Sequence, residues 1–256
     1  MPTLSLCIAG ATGWTGSALV QAVAAAEDLE LRSAVSRSAA GGTIAGARAY
    51  ASVAAALDGV EVLIDYTSHE IVRGNALAAI ERGVAVVIGT SGLTADDFAE
   101  IDTAARRRSV GVIAAGNFSL TAAMMQAAAL LAARHLPSWE VIDYASAGKP
   151  DAPSGTAREL AERLGASRSE RPVSATAGAP EARGATIAGT QVHSLRLPSF
   201  TVSTEVIFAL PDERLSIRHD AGSSAAPYVA GTLLAARAVP AAVGLVRGLD
   251  TLLLGG

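Results

Sequence analysis

The stretch "LSLCIAGATGWTGSALVQAVAAA", residues 4–26, decides how the fold is read. "LSLCIAG" (4–10) is a β-like apolar run that ends in a glycine turn, and "SALVQAVAAA" (17–26) follows as a helix. Between them stand Gly10, Gly13 and Gly16. Glycines at a strand-to-helix turn let the backbone bend tightly and approach a pyrophosphate, whose charge the helix N-terminus favours. Gly10, Thr12, Gly13, Trp14, Thr15 and Gly16 are therefore candidate contacts for a dinucleotide. The alternative is a tight turn that holds no ligand.

Outward from this point, short apolar runs alternate with helical ones. "LELRSAV" (29–35), "VEVLIDY" (60–66), "VAVVIGT" (84–90) and "VGVIAAG" (110–116) read as strands. "SVAAAL" (52–57), "IVRGNALAAIERG" (71–83) and "TADDFAEIDTAARRR" (94–108) read as helices. Apolar strands separated by helices indicate a parallel sheet buried on both faces, with right-handed crossovers. The expected class is α/β: a doubly wound, Rossmann-like sheet over residues 1–118. After residue 118 the rhythm changes. A long alanine-rich helix (119–135) precedes "SWEVIDYAS", a loop with its helix, and a Gly/Ala/Pro-rich stretch (165–189) read as loop. Three strand-like runs follow, the last being "ERLSIRHD", where Leu215 and Ile217 alternate with polar residues. Residues 119–220 are thus expected to form a second α+β domain with a mixed sheet. The tail, 221–256, reads as helices returning to the first domain.

Composition sets bounds. Of 256 residues 50% are hydrophobic and 17% charged, which argues against disorder. A net charge of −4 argues against a broad nucleic-acid surface. The single cysteine, Cys7, excludes an internal disulfide and a cysteine metal cluster, and it reads as a small core residue. No targeting segment is apparent at the start, and the longest apolar run, "TAAMMQAAALLAA" (121–133), is too short to span a bilayer. A cytoplasmic protein with no metal, membrane or nucleic-acid partner is expected.

The end of the second strand bears on the choice of nicotinamide nucleotide. A carboxylate there suits the ribose hydroxyls of NAD, and an arginine suits the extra phosphate of NADP. Here the chain reads Ser36-Arg37-Ser38, with no acid. Arg37 can fork onto a phosphate and both serines can donate to it, so NADPH is expected, with NADH possible. The other reading of Arg37 is a solvated loop charge.

A second motif, "YASAGKPDAPSGTA" (144–157), sets Lys149 and Asp151 between prolines and closes on Ser154-Gly155-Thr156. Thr156 and Glu159 have capping-box spacing, and Ala157, Leu160, Ala161 and Leu164 form an apolar stripe. Gly155 and Thr156 then lie at a helix start, where N–H groups favour an anion. The bland alternative is a proline-braced helix entry with a solvated lysine.

"KPDAPSGTA" resembles the signature of the dihydrodipicolinate reductase family of bacterial lysine biosynthesis. The resemblance continues through "GATGWTG", "VLIDYTSHE", "VIGTSGL", "AAGNFSL" and "ERLSIRHDA", in the family's order. It implies a dinucleotide-binding domain, a mixed-sheet domain that carries the substrate site, and a homotetramer. It implies that Thr67, Gly89, Thr90, Ser91, Ala115, Gly116, Asn117 and Phe118 line the cofactor site. Lys149, Ser154, Gly155 and Thr156 would grip a substrate carboxylate. The expected reaction is hydride transfer from NAD(P)H to a carboxylated cyclic imine or a conjugated C=C–C=N group. Lys149 would act as anchor and as proton source, directly or through water.

The chain also departs from the family. Two adjacent histidines usually stand four and three residues before the lysine, and one of them is the assigned proton donor. Ala145 and Ser146 take their places. Trp14 replaces the arginine of the glycine loop, and Gly222-Ser223-Ser224 replaces a serine-serine-arginine. A cyclic-imine reductase of secondary metabolism and a non-catalytic NADPH-binding sensor are the alternatives. Four histidines remain. His69 follows the third strand, and His135 ends a helix and reads as structural. His193 shares a face with Leu195 and Leu197, and His219 follows "LSIR".

Overall fold

The computed structural model of the chain describes residues 3–167 and 177–255. The chain forms two compact units, one running to Ser119 and resuming at Ala225, the other Leu120–Ser224.

In the first unit the elements run β1 (Leu4–Ala9), α1 (Trp14–Ala24), β2 (Leu29–Val35), β3 (Thr43–Ile44), β4 (Ala47–Tyr50), α2 (Val53–Ala56), β5 (Val62–Asp65), α3 (Val72–Glu81), β6 (Ala85–Ile88), α4 (Ala95–Arg108) and β7 (Gly111–Ala114). The second unit adds α5 (Leu120–Ala133), β8 (Ser138–Ala145), α6 (Gly155–Ala166), β9 (Ala185–Ile187), β10 (Thr190–Arg196), β11 (Val202–Leu210) and β12 (Glu213–Ala221). The chain then returns to the first unit as α7 (Ala226–Ala238), β13 (Gly244–Arg247) and α8 (Leu249–Leu254).

The first sheet has the order β13-β7-β6-β5-β1-β2-β4-β3, parallel except for the β3–β4 pair. Consecutive residues Leu6, Cys7 and Ile8 on β1, and Leu63 and Ile64 on β5, are fully buried. Burial of both side-chain directions means that both faces are covered, as a parallel sheet requires. The strand ends are in register: Ala9 pairs with Val35 and Asp65, Asp65 with Ile88, and Ile88 with Ala114. Their following loops therefore leave along one edge. The order reverses at β1, between β2 and β5, which is where open α/β sheets bind ligands.

One expectation needs correction here, and one hairpin is added. The tail is not helical throughout, because Pro240 cannot continue the helix and β13 follows, pairing in parallel with β7. The segment 43–50 forms the short β3–β4 hairpin at the far edge.

The second sheet has the order β12-β11-β8-β10-β9 and is mixed, with β10 parallel to β8 and β11 antiparallel to it. Trp139, Val141, Val192, Val206 and Phe208 face α5 and α6, packing on Met125, Ala129, Leu160 and Leu164. Burying each leucine of α6 contributes roughly 1.5–3 kcal/mol. Glu140, Ile142 and Tyr144 of β8 alternate onto the opposite face and are only partly buried. Within the stretch read as loop, α6 extends to Ala166, a 3₁₀ turn spans Pro180–Arg183, and β9 closes the sheet. Its remainder, 168–176, lies outside the described residues. No helix among the described residues is long and apolar enough to cross a membrane.

Candidate active site

The glycine loop joins β1 to α1. Gly10 has φ +81°, and a Cβ there would stand 2.2 Å from the Tyr66 carbonyl oxygen. No side chain caps α1, and its first turn holds no acid, so its N-terminal N–H groups and dipole suit a pyrophosphate. Trp14 opens the helix, 55% exposed, with its ring edge-on to Tyr228 at 5.7 Å. Thr12 Oγ1 meets Ser36 Oγ at 2.8 Å, and Ser36 Oγ meets Ser38 Oγ at 3.1 Å, joining the glycine loop to the end of β2. Arg37, between the serines, is exposed. These residues fit a dinucleotide.

Along the same edge, β5 ends in Asp65, which is fully buried. Its Oδ1 accepts from Thr67 N (3.0 Å), Thr67 Oγ1 (2.6 Å) and Thr90 Oγ1 (2.8 Å), and its Oδ2 accepts from Asn75 Nδ2 (2.8 Å). A buried carboxylate needs such donors, and here they fix two of the expected cofactor residues. Gly89 is a glycine for a plain reason: a Cβ would lie 2.2 Å from the Tyr66 ring. That ring meets Phe118 edge-on and its hydroxyl meets Thr232 Oγ1 at 2.7 Å, while burial raises its pKa. Ser91 and Gly116 are exposed, Ala115 and Phe118 are buried, and Asn117 Oδ1 accepts from Ser119 N at 2.8 Å.

The second unit carries the lysine loop. Lys149 Nζ pairs with Asp151 Oδ1 at 2.7 Å. Ser154, not Thr156, is the N-cap of α6: its backbone is extended and its hydroxyl accepts from Ala157 N. The Thr156–Glu159 capping box therefore does not form, and both residues are buried within the helix. Ser154 Oγ donates to Asp143 Oδ1 at 2.6 Å, so its proton goes to the protein rather than outward.

Asp143, Ser194 and Arg196 escaped the sequence reading, as did Asp65 and Asn75. The one signal was a lone acid inside an apolar strand, "VLID" and "VIDY" alike. Asp143 is fully buried and accepts from Ser154 N (2.8 Å), Ser154 Oγ (2.6 Å), Ser194 Oγ (3.2 Å) and Arg196 (2.8 Å).

The histidines separate by place. His69 and His135 are exposed. His193 lies on the face away from α5 and α6, with Nε2 2.7 Å from Glu140, and Leu197 falls beyond the end of β10. His219 is buried on the helix-facing side, opposite Thr204, and burial lowers its pKa.

Comparison with known proteins covers both units. The family profile described as dihydrodipicolinate reductase, N-terminus, matches residues 4–118, and its C-terminal counterpart matches 117–253. A 4-hydroxy-tetrahydrodipicolinate reductase of Moorella thermoacetica is 37% identical over 98% of each chain, and one of Cutibacterium acnes is 34% identical over the same shares. Dipicolinate-bound dihydrodipicolinate reductase from Paenisporosarcina sp. TG-14 superposes with a TM-score of 0.76 at 25% identity, covering 97% of this chain and 99% of that one. From glycine loop to C-terminal strand, the chain belongs to the dihydrodipicolinate reductase family.

Proposed function

We propose that this chain is an NADPH-dependent reductase whose substrate is a carboxylated cyclic imine or conjugated C=C–C=N compound, 4-hydroxy-tetrahydrodipicolinate first among them. One observation carries the reading: Lys149 and the start of α6 sit on one braced loop, as an anchor for a substrate carboxylate requires. The relatives named 4-hydroxy-tetrahydrodipicolinate reductase support the choice of substrate.

When bound, NADPH would supply a hydride to the electrophilic carbon. The Lys149 ammonium and the N–H groups of Gly155 and Thr156 hold the carboxylate, so the neighbouring carbon is presented in a fixed orientation. A proton goes to the other end of the reduced double bond, and Lys149, directly or through water, is its source. Ser36, Arg37 and Ser38 offer donors to a 2′-phosphate and no carboxylate to a 2′-hydroxyl.

A second reading, a different cyclic imine as substrate, is favoured by Ala145. It is fully buried and carries no proton, where the family pattern has a histidine. Turnover assays with 4-hydroxy-tetrahydrodipicolinate and with simple cyclic imino acids decide between the two readings. Lys149→Ala should lower kcat/KM by roughly 100-fold, about 3 kcal/mol, with NADPH affinity unchanged. A chain that binds NADPH and reduces none of these compounds would instead be a sensor.

A homotetramer is part of the proposal. The sheet face away from α5 and α6 mixes Glu140, Glu205 and Asp220 with Arg183 and Arg218, around Tyr144 and Phe200. A face that carries both charge signs around two aromatic rings supports a self-complementary contact with a second copy. Light scattering that returns a monomer mass at micromolar concentration would refute it.

A further inference from the structure

We infer that Arg196 is the positioning residue of the substrate grip, holding the Lys149 loop at two points and cancelling a buried negative charge beneath it. The inference rests on the proposed reading of that loop as the carboxylate anchor.

Arg196 ends β10, next to β8, and points to the same side of the sheet as Asp143. One terminal nitrogen, Nη2, donates 2.8 Å to Asp143 Oδ2 and 2.6 Å to the backbone carbonyl of Asp151. Those two contacts hold the loop at Asp151 and, through Asp143, at its C-terminal end, Ser154. Asp143 takes the backbone N–H and the hydroxyl of Ser154, the N-cap, and so fixes where α6 begins. Asp151 carries the carboxylate that pairs with Lys149, so a tether on its backbone sets where that pair stands.

The electrostatics point the same way. Asp143 is fully buried at the N-terminal end of α6. An uncompensated carboxylate there would occupy the positive end of the helix and repel any substrate carboxylate brought to it. The guanidinium, 16% exposed, neutralises Asp143 at contact distance and leaves the helix start and Lys149 for the ligand. Lysine in its place keeps the charge, but its compact ammonium on a flexible stem lacks the rigid guanidinium geometry that aims Nη2 at both acceptors while Nη1 bonds the Leu195 carbonyl at 2.9 Å.

The test is titration of dipicolinate, a stable dicarboxylate, into the NADPH-loaded protein, with NADPH binding and thermal unfolding measured in parallel. Arg196→Gln should weaken dipicolinate by about thirtyfold or more and leave NADPH affinity within about twofold. Arg196→Lys should recover part of that loss through its charge while remaining about fivefold weaker than wild type, because the Asp151 tether is lost. If Arg196→Gln does not fold, Arg196→Lys alone decides. Dipicolinate affinity equal to wild type in the Lys variant, or a parallel loss of NADPH binding in either variant, overturns the inference. A wild type that binds NADPH but no dipicolinate overturns the substrate reading itself, and the inference with it.

Discussion

The carbonyl oxygen of Gly10 stands 2.1 Å from the point that a Cβ on Gly16 would occupy. The first turn of α1 is therefore pressed against the end of β1, and this contact leaves no room for a side chain. Gly16→Ala must push backbone from backbone, and overpacking of this kind costs roughly 1–3 kcal/mol. Because the displaced atoms form the loop proposed to hold the dinucleotide, the loss should appear in binding: NADPH affinity should fall by about tenfold or more. Isothermal titration checks this, and an unchanged dissociation constant would refute it.

Arg37 is exposed and stands in the chain between two serines that already bond to each other and to the glycine loop. Hydrogen bonds to a charged partner are worth about 1.5–3 kcal/mol. Arg37→Glu should weaken NADPH by roughly tenfold to a hundredfold and improve NADH, which presents a ribose hydroxyl to the new carboxylate. Competitive titration of both cofactors measures the ratio. A wild type without preference removes the basis for assigning the phosphate to Arg37.

Cys7 is fully buried in β1, and burial pushes its thiol up to about 11, with Asp65 adding to the effect. The thiolate is the reactive form, so little of it exists near neutral pH. Modification of the native protein by a thiol reagent at about pH 8 should be at least roughly 100-fold slower than in denaturant. Fast labelling of folded protein would show that the strand opens.

Most of the first unit was legible because its signals are local. A strand, a glycine turn and a helix follow one another within residues 4–24, and "LELRSAV" is a strand over its full length. The helix read over 94–108 was equally plain, and the structure adds its cap at Thr94. What the sequence hid depends on pairing across distance. The strand Gly244–Arg247 lies in an apolar tail and is a strand because β7 offers it an edge. Arg196 reads as an ordinary alternating residue of "HSLRL", and only the register of β10 on β8 brings it beside Asp143, 53 residues away. The family motif marks Ser154 as a substrate donor, whereas in the structure its hydroxyl donates to Asp143.

His219 raises the question of what replaces the family's histidine pair. It is buried on the helix-facing side of β12, and burial lowers its pKa below that of a free imidazole; neighbouring Asp220 opposes the shift only in second place. Neutral at pH 7, it is a poor general acid, so it does not take over proton delivery. The same shift has a consequence for stability. The unfolded chain binds a proton at about pH 6.5, where the folded chain still refuses it. Between those two values the unfolded state holds more protons, so stability rises with pH and falls as the solution is acidified. Below the folded value both states are protonated and the loss stops growing. His219→Gln cannot titrate there. Its melting temperature should decline less than that of wild type as pH is lowered from about 7.5 to 5.5, and its turnover at neutral pH should stay within about tenfold. Parallel melting curves for the two proteins would show that His219 takes its proton in the folded state as readily as in the unfolded one. It would then again be a candidate acid for the reaction.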